Sequence, residues 1–195
     1  VARWALHELL AGPSHDVPGL VAATLGPADA GSAPPPYAAY DMARCVMWRS
    51  SWQDDASGFW MRGGHRMDQH DHQDRGHISF TPHGRPVLIE TACPHYGRPN
   101  INSLFQSSPG HNCLQVGGVL PQELESVPAV GFVDAEGWQR FRVVAPIEVG
   151  RLDAEGGDIV MTMPGEGYDR LKAWHRRAVW NQDALTVQDK VELER

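Results

Sequence analysis

From residue 141 to 149 the apolar side chains Phe141, Val143, Ala145, Ile147 and Val149 alternate with Arg140, Arg142, Val144, Pro146 and Glu148. A period of two marks a strand with one face buried. Leu185, Val187, Val191 and Leu193 repeat the pattern, with Asp189 interrupting the apolar face. Short apolar runs bounded by Gly and Pro lie at 43–50, 58–62, 77–81, 86–91, 112–116, 130–134 and 158–163, and each predicts a strand, as do the alternating stretches 138–149 and 184–194. Segment 169–181 (DRLKAWHRRAVWN) fits neither period cleanly and is read as strand from its neighbours. DAEG at 134–137 and again at 153–156 suits hairpin turns. Roughly ten short strands at regular spacing predict a mainly β protein, an antiparallel β-sandwich.

The N-terminal region has another texture. Trp4, Leu6, Leu9 and Leu10 predict a short helix over 3–11, which Gly12, Pro13 and Ser14 end. Residues 18–25 suit another helical turn or two. GPADAGSAPPPY at 26–37 reads as a linker. The expected domains are therefore 1–36, a helical remnant with its linker, and 37–195, the sandwich. The first residue is Val, with no secretory leader pattern after it. The expectation is a processed or trimmed chain, the C-terminal part of something longer.

Composition narrows the function classes. The 195 residues are 42% hydrophobic and 21% charged, as in a globular protein. The net charge of −7 argues against nucleic acid held by bulk charge. No apolar run approaches the roughly 20 residues needed to span a bilayer, so no membrane partner is expected. Three cysteines make no disulfide framework and leave the compartment open.

Histidine changes the picture. Seven of the ten (His65, His70, His72, His77, His83, His95 and His111) fall between residues 65 and 111. In an extended His70-Asp71-His72, both imidazoles can face one site. Glu90 ends an apolar run, and His111 opens another. Two imidazoles and a carboxylate suit zinc or another divalent transition metal. Surface histidines in polar loops are the bland alternative. A metal cupin is another, since Gly64, His70, His72 and Gly84 fit half of its first motif. The carboxylate position of that motif is His77, and the second motif is absent.

The longer pattern is more specific. Met61-Arg62-Gly63-Gly64, His70-Asp71-His72-Gln73-Asp74-Arg75-Gly76-His77-Ile78-Ser79-Phe80, Gly84 to Glu90 and His111-Asn112 together resemble the heparinase II/III-like polysaccharide lyases, which include alginate oligosaccharide lyases. Trp174–Trp180 and Leu185–Val191 resemble the next two strands of that family, so the resemblance covers roughly 40–195. It implies an antiparallel β-sandwich that follows an N-terminal α/α toroid, and cleavage of uronic-acid-containing glycans by β-elimination. It implies that His70 faces substrate, while His72, Glu90 and His111 bind a divalent metal, zinc in the family. The family acid is usually Asp, and Glu90 is one methylene longer. The toroid, absent from this chain, would be supplied in cis or by another chain, and residues 1–25 would be its last helix. The implied partner is an acidic polysaccharide or oligosaccharide. The implied compartment is periplasmic or extracellular, with the cytoplasm still open.

Remaining residues carry weaker signals. Tyr96 is the local phenol for acid/base work, against packing on a Pro/Gly-rich loop. Arg62 and Arg98 can meet a uronate carboxylate, though exposed arginines are usually just solvated. Asp74 can orient His70 or His72, or simply stabilise a turn. Trp48, Trp52 and Trp60 can stack on sugars, with core packing the better reading. His65, His77, His83 and His95 read as surface or satisfied polar residues. Arg140, Arg142, Arg170, Arg176 and Arg177 read as solvent faces of strands. Cys93 and Cys113 read as small buried thiols. A non-catalytic carbohydrate-binding module stapled by the metal, or a cupin-type metalloenzyme, stands as the alternative function.

Overall fold

The structure, a computed structural model, describes residues 33–67, 71–91, 104–116 and 137–194. Two four-stranded antiparallel sheets carry the fold. The first runs β1 (Tyr37–Tyr40), β2 (Cys45–Arg49), β3 (Gly58–Arg62) and β4 (Ile78–Thr81) in spatial order. The second runs β5 (Ile147–Asp153), β6 (Gly156–Pro164), β7 (Leu171–Trp180) and β8 (Leu185–Leu193), also in order. Each sheet is a meander in which consecutive strands are neighbours.

The alternating side chains explain the sandwich. Val46, Trp48, Phe59, Met61, Ile78 and Phe80 of the first sheet share a core with Ile159, Met161, Met163, Trp174, Ala178 and Trp180 of the second. Phe59 stacks on Trp180 with ring centroids 3.7 Å apart and planes 6° from parallel. The Trp48 indole donates to the Asp153 carbonyl at 2.8 Å. Of the three tryptophans considered for sugar stacking, Trp48 is core, Trp60 is half-buried and Trp52 is exposed.

Several expectations change. Among the described residues there are eight strands, not ten. Tyr37–Tyr40, read as the end of the linker and the start of the sandwich, is β1, paired from Tyr37↔Trp48 to Tyr40↔Cys45. The alternation from 138 to 146 is no strand. Ala145 donates to Gly63, the Val143 carbonyl accepts from Arg75, and Arg142 has φ 59° and donates to Asp71. These side-chain and loop partners replace a ladder, and β5 begins only at Ile147. Residues 86–91 make a single bridge, Phe80↔Leu88, which leaves Val87 and Ile89 exposed. Residues 112–116 form no strand. The ambiguous 169–181 does contain strand β7, and DAEG at 153–156 does turn the β5–β6 hairpin.

The helical remnant expected at 3–11 and 18–25, most of the linker and the strand expected at 130–134 lie outside the described residues. Among the described residues no helix is long and apolar enough to cross a membrane.

Candidate metal centre

Two loops and one short segment converge at the end of the first sheet. The loop 71–77 enters β4 and carries His72. The segment after β4 carries Glu90, tethered where Leu88 bridges Phe80. A single 3-10 turn, Ser108–Gly110, delivers His111, whose N–H closes on the Ser108 carbonyl at 3.0 Å. Gly110 permits that turn, because a Cβ there would run into the Leu104 carbonyl and meet Thr91 Oγ1 at 3.2 Å.

Buried polar side chains hold the loops in register. Gln73 accepts from Ser108 N–H at 3.2 Å, and its own N–H donates to the Gln106 carbonyl at 2.8 Å. Gln139 N–H donates to Ser108 Oγ at 2.7 Å, and the Gln139 amide clasps both backbone groups of Arg75 at 2.7 and 2.9 Å. Asp71 takes a fork from Arg75 and the Arg142 N–H. The Arg75 guanidinium also donates to the His72 carbonyl, so the backbone that follows Asp71 is fixed as well as its side chain.

These supports place one donor atom each from His72, Glu90 and His111 within 4.8 Å of one another. His111 Nδ1 lies 2.9 Å from Glu90 Oε1. Despite that distance, both His111 ring nitrogens are buried without a hydrogen-bond partner. The close approach therefore lacks the angle of a donated hydrogen bond. An imidazole with two orphaned nitrogens, one against a carboxylate oxygen, is costly as it stands. A cation between the donors would engage one of those nitrogens together with the carboxylate, and the residues fit a divalent metal on this ground.

Protonation agrees. Burial pulls the His72 and His77 imidazoles below their ordinary value, with neighbouring carboxylates opposing it only in part. Burial pushes the Glu90 carboxyl up, but the His111 contact, the His77 neighbour and the Thr91 N–H outweigh it, and the net direction is down. Neutral imidazoles and an ionised carboxylate are the forms a metal binds.

The other predicted site residues are distributed unevenly. His70, Tyr96 and Arg98 lie outside the described residues, as do His95 and Cys93. Arg62 is one-fifth exposed, with Nη1 2.6 and 2.7 Å from the two Asp74 oxygens and Nη2 3.3 Å from Asp71. Asp74 is thus held by Arg62. His83 pairs with Asp183 at the surface, 2.7 Å away.

Four residues refine or correct the sequence reading. His77 is satisfied, as expected, but it is fully buried beside Glu90 rather than at the surface. Arg176 is no solvent-face residue. It forks onto Asp189 at 2.8 and 2.9 Å, lies 4.7 Å over Trp174, and donates to the carbonyls of Gly76 and Asn112. Arg142 and Arg170 sit in left-handed turn positions outside the strands. Asp189, interrupting an apolar face, was the visible sign that a buried cation faces β8. Cys113 is a thiol pushed up by burial and bonded to the Arg75 carbonyl, outside the donor group.

Residues 55–195 match the family model described as heparinase II/III-like, C-terminal. Among solved structures, the chain is similar to the heparan sulfate lyase HepC from Pedobacter heparinus, with a TM-score of 0.56 and 16% identity. That alignment covers 89% of this chain and 24% of the other. A heparinase III structure gives a TM-score of 0.52 at 16% identity, over 85% of this chain and 24% of that one. These likenesses are of fold, and the chain spans 24% of the length of each. Comparison with curated proteins gives no match. The family match runs from the approach to β3 through β8 and takes in all three convergent donors. The chain belongs to the heparinase II/III-like, C-terminal family.

Proposed function

We propose that this chain is the C-terminal sandwich of a polysaccharide lyase that cleaves uronic-acid-containing glycans by β-elimination. We propose further that His72, Glu90 and His111 hold a structural divalent ion, zinc by the chemistry of the donor set. The observation that carries the reading is the convergence of these three donors within 4.8 Å around an imidazole with orphaned nitrogens, in a chain of this family. The family match also favours the lyase over the cupin alternative.

In the reaction the C5 proton of a uronate leaves and a C4=C5 double bond forms. The C4–O bond breaks, and its electron pair goes to the glycosidic oxygen, which takes a proton. His70 is the proposed acid/base group, working near neutral pH, with Tyr96 as the phenolic partner. His70 directly precedes Asp71, whose carboxylate is held by Arg75 and the Arg142 N–H, so the protein fixes its attachment point. Bound between His72, Glu90 and His111, the ion supplies a charged tether that keeps this loop in place. Arg62 is already matched by Asp74 and Asp71, which leaves Arg98 as the stronger choice to neutralise the substrate carboxylate. Residues 1–36 are the proposed end of an α/α toroid, and 37–195 the sandwich domain. The toroid forms the other wall of the cleft.

The test uses this chain alone and joined to its toroid, assayed for the unsaturated uronate that absorbs in the ultraviolet. The joined protein should turn over an acidic glycan, and the sandwich alone should show little or none. In the joined protein His70→Ala should lose about 10²–10⁴-fold in kcat while keeping metal and fold. A joined protein inert toward alginate, heparin, heparan sulfate and chondroitin would overturn the reading.

A further inference from the structure

His77 lies one residue before β4, with its side chain fully shielded from water. Its Nδ1 accepts the Asn112 backbone N–H at 3.3 Å. Asn112 is itself immobile, since its side-chain amide accepts from Ile78 N–H at 2.8 Å and donates to the Ile78 carbonyl at 2.7 Å. An acceptor Nδ1 in a neutral ring puts the proton on Nε2. That nitrogen faces Ser79 Oγ at 3.2 Å and Glu90 Oε2 at 3.5 Å.

The two oxygens of Glu90 therefore have different neighbours. Oε1 lies 2.9 Å from His111 and accepts the Thr91 N–H at 3.0 Å, on the side of the convergent donors. Oε2 is turned toward His77. Glu90 needs such a brace. Its segment bonds the sheet where Val87 and Leu88 meet Phe80, two residues or more before it, and its side chain is about one-third exposed. A glutamate so placed has three side-chain torsions to settle before it can offer one oxygen to an ion.

We infer that His77 is a positioning residue for the metal. Its Nε2–H, held in one tautomer by Asn112 and hydrogen-bonded to Ser79 Oγ, presents its positive end 3.5 Å from Glu90 Oε2 and so orients that carboxylate with the opposite oxygen toward the ion. The inference rests on the proposed metal reading. His77 stands outside the three-donor group, so its role is orientation rather than ligation. Outer groups of this kind are worth about 10–100-fold in metal affinity.

The experiment titrates the 195-residue chain with zinc, and with cobalt(II) for its visible spectrum. It compares wild type, His77→Leu and His77→Gln, each checked by thermal melting without metal. Leucine fills the space without a donor, while glutamine restores an N–H near the Nε2 position. His77→Leu should bind zinc about 10–100-fold more weakly with an altered cobalt spectrum, and His77→Gln should recover most of the affinity and the wild-type spectrum. If His77→Leu does not fold, the glutamine variant decides alone. Affinity or cobalt spectrum lost in a well-folded His77→Gln overturns the donor role, and retention of both supports it. Wild-type binding by both variants overturns the positioning role and leaves the metal reading intact. Failure of the wild type itself to bind metal overturns both.

Discussion

Arg75 lays its guanidinium fork on the carboxylate of Asp71, with Nη1 2.8 Å from Oδ1 and Nη2 2.9 Å from Oδ2, both side chains fully shielded from water. The pair is four residues apart in a loop, not a helix, so the fork itself sets the loop's curvature. The same guanidinium reaches Val143 and His72 carbonyls. One side chain thus couples the proposed metal loop to the connection that leads into β5.

Removing the fork should leave Asp71 as a buried charge held, among the described residues, by the Arg142 N–H and the 3.3 Å contact with Arg62. Arg75→Met is expected to cost about 3–5 kcal/mol, the usual penalty for breaking a buried pair from one side. Arg75→Lys should rescue little, because an ammonium cannot reproduce the planar fork. Urea denaturation reads both. A lysine variant as stable as wild type would mean that charge alone, not geometry, holds the loop.

Metal removal should destabilise the sandwich through linkage. An ion present at a thousand times its dissociation constant contributes about 4 kcal/mol. For a domain of this size that is a melting shift of roughly 8–16 °C. A chelator should therefore lower the melting temperature by that order, and zinc should restore it. His72→Ala and His111→Ala should bring the metal content from about one per chain to near zero. Melting that ignores the chelator, in protein without metal by elemental analysis, would remove the site.

Gly76 joins the metal loop to β4 with φ 84°, and a Cβ there would stand 2.7 Å from both Met161 Cε and Trp174 Cη2. The methionine end can move, but the indole is locked in the core. Gly76→Ala should thus incur left-handed strain together with overpacking, about 2–4 kcal/mol in all. Calorimetry of the variant checks it. A melting temperature within a degree or two of wild type would show that the loop can shift away from Trp174.

How much of the molecule is legible in the sequence depends on where each residue finds its partners. The strands β2, β3 and β6 are readable as short apolar runs because each buries alternate side chains in the core, whereas β8, read from its alternation, leaves Val187, Val191 and Leu193 exposed. The donors His72, Glu90 and His111 are readable through motif resemblance, since nothing local joins residues 72, 90 and 111. The supports were not readable in this way. Gln73, Gln139 and Arg176 are polar residues with partners 35, 31 and 100 positions away. Their burial depends on the finished fold. The 138–146 segment misled for a related reason. Its inward Val143 and Ala145 alternate as in a strand, while its backbone bonds go to Arg75, Asp71 and Gly63.

Asp189 supplies the last prediction. It sits in β8 opposite Arg176, takes the guanidinium fork and accepts the Trp174 indole N–H at 2.8 Å. Burial pushes its carboxyl up, but the Arg176 hydrogen bonds and charge and the Trp174 bond outweigh this, so the folded value lies below the ordinary one. A depressed folded value means that the native state favours the ionised form. The stabilisation is then fully present above the unfolded value of about 3.9. It is lost as pH falls from there through the folded value. Asp189→Asn should cost about 1–2 kcal/mol at neutral pH, a figure held down because the carboxylate is one-third exposed and screened. Other carboxylates titrate alike in both proteins, so the quantity to follow is the stability difference between wild type and variant in urea at successive pH values. That gap should be constant from pH 7 to 5 and shrink as pH falls below about 4. A gap that keeps its neutral-pH size at pH 3 would mean that the Asp189 charge contributes nothing, and that Arg176 is held in place by Trp174 and the Gly76 and Asn112 carbonyls alone.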